Sequence, residues 1–132
     1  MIKIRIYFYV ITALFIFYAV LCNAENSVDI FKLIEEGKTK DVINILDSDQ
    51  LSLQLKNSNG ASLLHAAARA GDISLIEYLL NGGVDINIKD NNGNTPLFEA
   101  VDSGKIDAVS LLIDKSADIN ITNKSLRTPI FH

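Results

Sequence analysis

Cysteine is nearly absent: Cys22 is the only one in 132 residues. A single thiol excludes an internal disulfide framework and any zinc site built on several cysteines. Tryptophan is missing, proline occurs twice, and the only histidines are His65 and His132. Two histidines that far apart leave little for a metal centre or a catalytic triad. Positive charge is scarce as well. The net charge is −4 and the pI about 5.0, so a broad nucleic-acid-binding face is not expected. A glycine-rich phosphate loop is lacking too, because Gly82-Gly83 reads as a helix end. The pair Glu35-Glu36 reads as a solvated face, not an acid/base dyad. These absences point away from an enzyme and from any cofactor, and the length allows one folded domain.

What is present begins with a distinct N-terminal stretch. Lys3 and Arg5 precede a run over residues 6–22 in which Thr12 is the one clearly polar residue, followed by Cys22-Asn23-Ala24. A basic start, an apolar middle and small residues at a cut site have the layout of a secretory signal, with cleavage expected after Ala24. An uncleaved anchor is the alternative, since about 17 apolar residues can just reach across a bilayer. A lipoprotein signal ending at Cys22 fits least, because bulky Leu21 precedes the cysteine. The basic start stays cytoplasmic in each case, so the folded part is expected outside the cytoplasm, periplasmic or secreted. Cleavage would leave 108 residues, and loss of two cations would take the net charge from −4 to −6.

The remainder repeats with a period of 33. Gly60 and Gly93, Gly71 and Gly104, Leu64 and Leu97, Leu79 and Leu112, and Asp85-Ile86-Asn87 and Asp118-Ile119-Asn120 all stand 33 apart, as do Thr95-Pro96 and Thr128-Pro129. So many coincidences at one offset define a repeat. Ser62 and Thr95 stand where a helix begins, with hydroxyls placed to accept from free backbone N–H groups. Pro96 fits a first helical position. Leu63, Leu64, Ala66, Ala67 and Ala68 make a short helix of small side chains, and Gly71 permits a reversal. Ile73, Ile76, Leu79 and Leu80 form the apolar stripe of a second helix, with Ile106, Val109, Leu112 and Ile113 as its counterpart. Gly83 is suited to end that helix. In the next unit Ala117, preceded by Ser116, is the expected counterpart, so the glycine stop is missing. Val84-Asp85-Ile86-Asn87-Ile88 alternates and Asn92-Gly93 is a tight-turn signal, which predicts a hairpin-like loop between units.

Ser62-Leu63-Leu64-His65-Ala66-Ala67 and Thr95-Pro96-Leu97-Phe98-Glu99-Ala100 resemble the T-P-L-H-x-A motif of ankyrin repeats, and Val84-Asp85-Ile86-Asn87 resembles their G-A-D-V-N segment. The resemblance implies an all-α fold: a short solenoid of helix-turn-helix units joined by hairpin-like loops. The expected domain spans residues 25–132. It has a degenerate first unit at 25–56, full units at 57–89 and 90–122, and a truncated one at 123–132. In the first unit Ile30, Leu33 and Ile34 suit one helix and Val42, Ile43, Ile45 and Leu46 the other, with Lys32, Glu35, Glu36, Lys38 and Lys40 as a polar outer face. Leu126 replaces the turn glycine of the last loop, which is therefore expected to be less well formed. Two full units with partial ends predict marginal stability.

The resemblance also implies a non-catalytic binding module that grips a protein partner through its loop tips and the exposed side of its first helices. Carried over by position, those sites are Ser58, Asn59, Ala61, Arg69 and Ala70, then Asn91, Asn92, Asn94, Asp102 and Ser103. Turn chemistry alone also accounts for Asn and Asp at such places. His65 is implied to tether neighbouring loops, with Phe98 in its place one unit on. A basic protein partner, no nucleic acid and a monomer are expected, with membrane contact only through residues 6–22 if they stay uncleaved. The alternatives are a membrane-tethered scaffold held by that helix, or a secreted effector that mimics host scaffolds. The triplets beginning at Asn120 and Asn123 fit the glycosylation pattern and read as chance.

Overall fold

The computed structural model describes residues 29–48 and 53–130. The expected signal segment, its cleavage point and the anchor alternative lie outside those residues. The described part holds six helices in three pairs: α1 Ile30–Glu35 with α2 Thr39–Ser48, α3 Leu63–Ala70 with α4 Ile73–Asn81, and α5 Pro96–Asp102 with α6 Ile106–Asp114. The first helices pack side by side, α1 on α3 and α3 on α5. The second helices form the other layer, α2 on α4 and α4 on α6. Each pair therefore leans on the next, as the 33-residue period requires.

Local chemistry sets the helix ends. Asp29 accepts from the Phe31 and Lys32 amides to cap α1, and Asp72 accepts from the Leu75 amide at 3.1 Å to cap α4. The Thr39 hydroxyl donates to the other oxygen of Asp72 and ties α2 to α4. These bonds satisfy amides that a helix N-terminus otherwise leaves bare. Pro96 opens α5 as expected.

Leu64, Leu79, Leu97 and Leu112 line one shared core with Ile34, Val42, Leu46, Leu63, Leu75 and Ile76. Small residues at Ala67, Ala68, Ala100 and Ala108 let the helices approach closely within that core. Burying a leucine fully is worth about 1.5–3 kcal/mol. The expected polar face of the first unit is confirmed: Lys32, Glu35, Glu36, Lys38 and Lys40 are all exposed. Glu36 and Lys38 pair there at 2.8 Å, which lowers the carboxylate pKa and raises that of the ammonium.

Three expectations need correction. Ile106 and Ile113 are not in the core. They are 79% and 41% exposed, while Ala108 and Leu112 face inward. Their equivalents Ile73 and Leu80 are half-buried because α6 follows α4, whereas no described helix pair follows α6. The glycine-stop position of α6 belongs to Ser116, not Ala117: Ser116 has φ 69° where Gly83 has φ 87°, and Ala117 is buried. The loop at residues 123–128 is well formed despite Leu126, which adopts φ 58° and keeps the turn bonds of the preceding loops. The alternation after Val84, which predicts a hairpin-like loop, forms that loop from turns without strands. Asp85 accepts from the Asn87 amide at 2.9 Å in a side-chain-closed turn. Among the described residues the one β contact is the isolated bridge between Lys56 and Ser62.

Candidate functional site

Three loops with one hydrogen-bonding plan carry most of the candidate residues. Each begins with a side chain that clamps two backbone amides. Asn57 accepts from the Asn59 and Ala61 amides, both at 3.0 Å. Asp90 accepts from those of Asn92 and Asn94 at 2.8 and 2.9 Å. Asn123 accepts from those of Ser125 and Arg127 at 2.9 and 3.1 Å. Short side-chain acceptors of this kind replace the hydrogen bonds of a backbone turn. The tips are then stitched to one another: the Asn91 amide donates to the Asn59 carbonyl at 3.0 Å, and the Lys124 amide to the Asn92 carbonyl at 2.9 Å. A second seam runs below, where the Asp118 amide donates to the Asn87 side chain at 2.9 Å.

The structure places Ser58, Asn59, Asn91 and Asn92 on exposed tips held by this ladder. Arg69 and Ala70 are exposed at the end of α3, and Asp102 and Ser103 at the end of α5. Two candidates are corrected. Ala61 is only 4% exposed, because it sits between the Asn57 clamp and the Lys56–Ser62 bridge, so its methyl group is not a contact surface. Asn94 is half-buried and structurally committed: its side-chain oxygen accepts from Asn123 at 3.0 Å and its carbonyl faces His65.

His65 has the tethering role implied for it. The Ser62 amide donates to Nδ1 at 3.1 Å, and the Ser62 hydroxyl lies 2.9 Å from the same nitrogen. The Asn94 carbonyl can only accept, so Nε2, 2.9 Å away, carries the proton and donates. The ring is thus neutral, buried, and bound to two units at once. Burial lowers its pKa, against the raising effect of the Asn94 carbonyl. One period on, Phe98 offers no such acceptor. The Thr95 hydroxyl does not cap α5, contrary to expectation: it is 1% exposed and its oxygen has no hydrogen-bond partner.

Beside the loops, the first helices border a groove of about 590 Å³ lined among others by Phe31, Glu35, Ala66, Arg69, Ala70 and Lys105. Its lining mixes apolar side chains with groups of both charge signs. Arg69 is held by Glu99 on α5 at 2.8 Å, a hydrogen bond that also raises the guanidinium pKa. Phe31, Ala66, Glu99 and Lys105 were not among the sequence candidates. The Arg69–Glu99 pair spans 30 residues, not 33, so the repeat gives no signal for it. Among the described residues no cluster of His, Cys, Asp or Glu is arranged to hold a metal ion, and no helix is long and apolar enough to cross a membrane.

A family model described as ankyrin repeats (3 copies) matches residues 16–123, most of the chain. No curated protein matches it.

Proposed function

The chain belongs to the ankyrin-repeat family, whose members are in general non-catalytic protein-interaction modules, and from that premise we propose that it binds a protein partner outside the cytoplasm through its loop tips and the first-helix groove. The observation that carries this reading is the ladder of clamped loops. It fixes the backbone at Ser58, Asn59, Asn91 and Asn92 while their side chains stay exposed. A partner then meets polar groups whose ordering cost is already met by the fold. The groove adds apolar side chains at Phe31 and Ala66 beside the carboxylate of Glu35. Action outside the cytoplasm rests on the layout of residues 1–24 alone. If those residues are removed, the net charge is near −6, which favours a partner with a basic surface.

Recovery of partners from an envelope fraction tests this, comparing the chain with a variant changed at Asn91, Asn92 and Asp102. The expected result is selective loss of one or a few proteins. Equal recovery of every protein would remove these residues from the binding surface. The mature N-terminus, read by mass spectrometry, separates release from tethering: Glu25 supports an exported, released module, and Met1 a membrane-tethered scaffold.

A further inference from the structure

Three asparagines of this chain precede a glycine: Asn59-Gly60, Asn81-Gly82 and Asn92-Gly93. Glycine has no Cβ to shield its nitrogen. In such a pair that nitrogen most readily reaches the side-chain amide carbon of the residue before it. The first and third pairs stand 33 residues apart on the loop tips, where Asn59 and Asn92 are exposed. The second pair closes α4.

Ring closure between the two residues requires their shared peptide plane to turn, and the fold holds that plane differently at the three places. On the tips it is pinned along both edges. The Gly60 amide donates to the Asn57 carbonyl at 2.9 Å, while the Asn59 carbonyl accepts from the Asn91 amide at 3.0 Å. The Gly93 amide donates to the Asp90 carbonyl at 3.0 Å, while the Asn92 carbonyl accepts from the Lys124 amide at 2.9 Å. One edge is therefore closed by the loop itself and the other by its neighbour. At the end of α4 the Gly82 amide donates to the Tyr78 carbonyl at 3.0 Å, two residues before buried Val84. That plane turns only if the helix end unwinds.

We propose that Asn59 and Asn92 are sites of self-modification, deamidated through a cyclic imide, and that the ladder between the loops is the lock on this reaction. A surface plane can open locally while the rest stays folded. The glycine nitrogen then gives its proton to hydroxide and attacks the side-chain amide carbon. A carbon–nitrogen bond forms, and the amide nitrogen leaves as ammonia after taking a proton from water, which restores the hydroxide. Water next opens the ring at either carbonyl, so one water is consumed for each ammonia released. The product is aspartate, or isoaspartate with a backbone one carbon longer. Both add a negative charge to the tip, a covalent change of the kind that alters local electrostatics. The longer backbone cannot keep both edges of the plane bonded and leaves that step of the ladder open. The consequence for a partner rests on the reading of the tips as contacts, whereas the chemistry stands or fails without it.

Peptide mapping of the full chain by mass spectrometry, after ageing in mildly alkaline buffer, tests this. The same chain in concentrated urea is the reference, in which all three pairs are expected to react at similar rates. In buffer Asn59 and Asn92 should react more slowly by about tenfold or more, the effect of two net hydrogen bonds. Lys124→Pro removes the ladder donor. The substitution falls at the first central position of the turn that the Leu126 amide closes on the Asn123 carbonyl, a place proline suits. It is expected to speed Asn92 about two- to tenfold, the effect of one such bond, with Asn59 and Asn81 unchanged. Lys124→Ala keeps the backbone donor and should leave all three rates as they were. The proposal is overturned if both tips remain amides long after the urea sample has converted, or if they react as fast folded as in urea. It is overturned equally if Lys124→Pro leaves Asn92 unchanged or speeds all three sites alike.

Discussion

Ser62 and Thr95 occupy equivalent positions, yet the structure assigns their hydroxyls opposite energetic signs. Ser62 has His65 as partner, with its oxygen 2.9 Å from Nδ1. Thr95 has Phe98 at the corresponding place and its hydroxyl is buried without a hydrogen bond. Burying a hydroxyl unpaired costs about 1–3 kcal/mol by the measure of protein substitutions. Thr95→Val keeps the shape, removes that group, and breaks no cap, since the side chain makes none. It is expected to stabilise the fold by about 1 kcal/mol, the lower part of that range, because slight movement of the hydroxyl already recovers some of the cost. Ser62→Ala is expected to destabilise by about 1 kcal/mol, the usual loss for an N-terminal Ser whose hydrogen bond is made. Urea unfolding of the full chain, followed by circular dichroism at 222 nm and extrapolated linearly, reads both. Phe98→His supplies the missing partner, so Thr95→Val should lose its benefit in that background, a coupling that a double-mutant cycle isolates. A Thr95→Val variant destabilised by about 1 kcal/mol or more would refute the reasoning, for it would mean that the hydroxyl has a partner of the kind Ser62 enjoys.

Backbone strain, histidine titration and the loop clamps give three further tests. Ser116→Gly and Leu126→Gly relieve left-handed backbone at non-glycine residues. Strain of about 1–2 kcal/mol less the extra chain entropy of glycine leaves a gain of about 0.5–1 kcal/mol each, read as a higher urea midpoint; an unchanged or lower midpoint counts against the strain. The His65 pKa is lowered on folding, so the neutral ring is the folded form. Its stability contribution is complete above the unfolded pKa of about 6.5 and is lost as pH falls from there through the lowered folded value. Unfolding measured from pH 7.5 to 5 should show a slope that His65→Gln removes, and an identical slope in that variant contradicts it. Asp90→Ala frees two clamped amides and is expected to cost about 1–3 kcal/mol, whereas Asn92→Ala, whose side chain is exposed, should change stability by less than about 0.5 kcal/mol. Similar losses from both would undo the distinction between clamp and contact.

The helix pairs and their seam were readable because a 33-residue period places leucines at Leu64, Leu79, Leu97 and Leu112, and all four are buried. The tether at His65 was readable through the likeness of Ser62-Leu63-Leu64-His65-Ala66-Ala67 to the ankyrin motif, which implies that role. Other features escaped for physical reasons. An apolar stripe states which side of a helix prefers cover, not whether a neighbour exists, so Ile106 and Ile113 were placed in a core that no described helix pair completes. The same stripe passed over Ala108, whose small side chain is buried because of where it points. Ala61 was carried over as a contact by its position in the repeat, but a bridge and a clamp enclose it on either side. Asn94 was carried over as a contact by the same positional likeness, while its amide, carbonyl and side-chain oxygen all serve the loops around it. The Arg69–Glu99 pair joins α3 to α5 across the layer of first helices, so no repeat spacing announces it.

These bonds divide the loop residues into two kinds. Asn57, Asp90 and Asn123 spend a side-chain oxygen on their own loop, the Asn123 nitrogen reaches Asn94 of the preceding loop, and the backbone at Asn59, Asn91, Asn92 and Lys124 spends one hydrogen bond per step on the neighbouring loop. The exposed side chains at Ser58, Asn59 and Asn92 project from this frame without building it. Evolution can therefore change those side chains with little effect on the stack, while the clamp positions remain constrained by the geometry of the turn. Asn91 lies between the two kinds: its side-chain nitrogen reaches the Ser58 carbonyl only at 3.5 Å, and its bulk closes the space above Gly60. A partner that engages the tips thus meets a rigid spacing set by the period and a chemistry set by a few replaceable residues. That separation of frame from contact is how a short stack with so little catalytic equipment can acquire a specific partner.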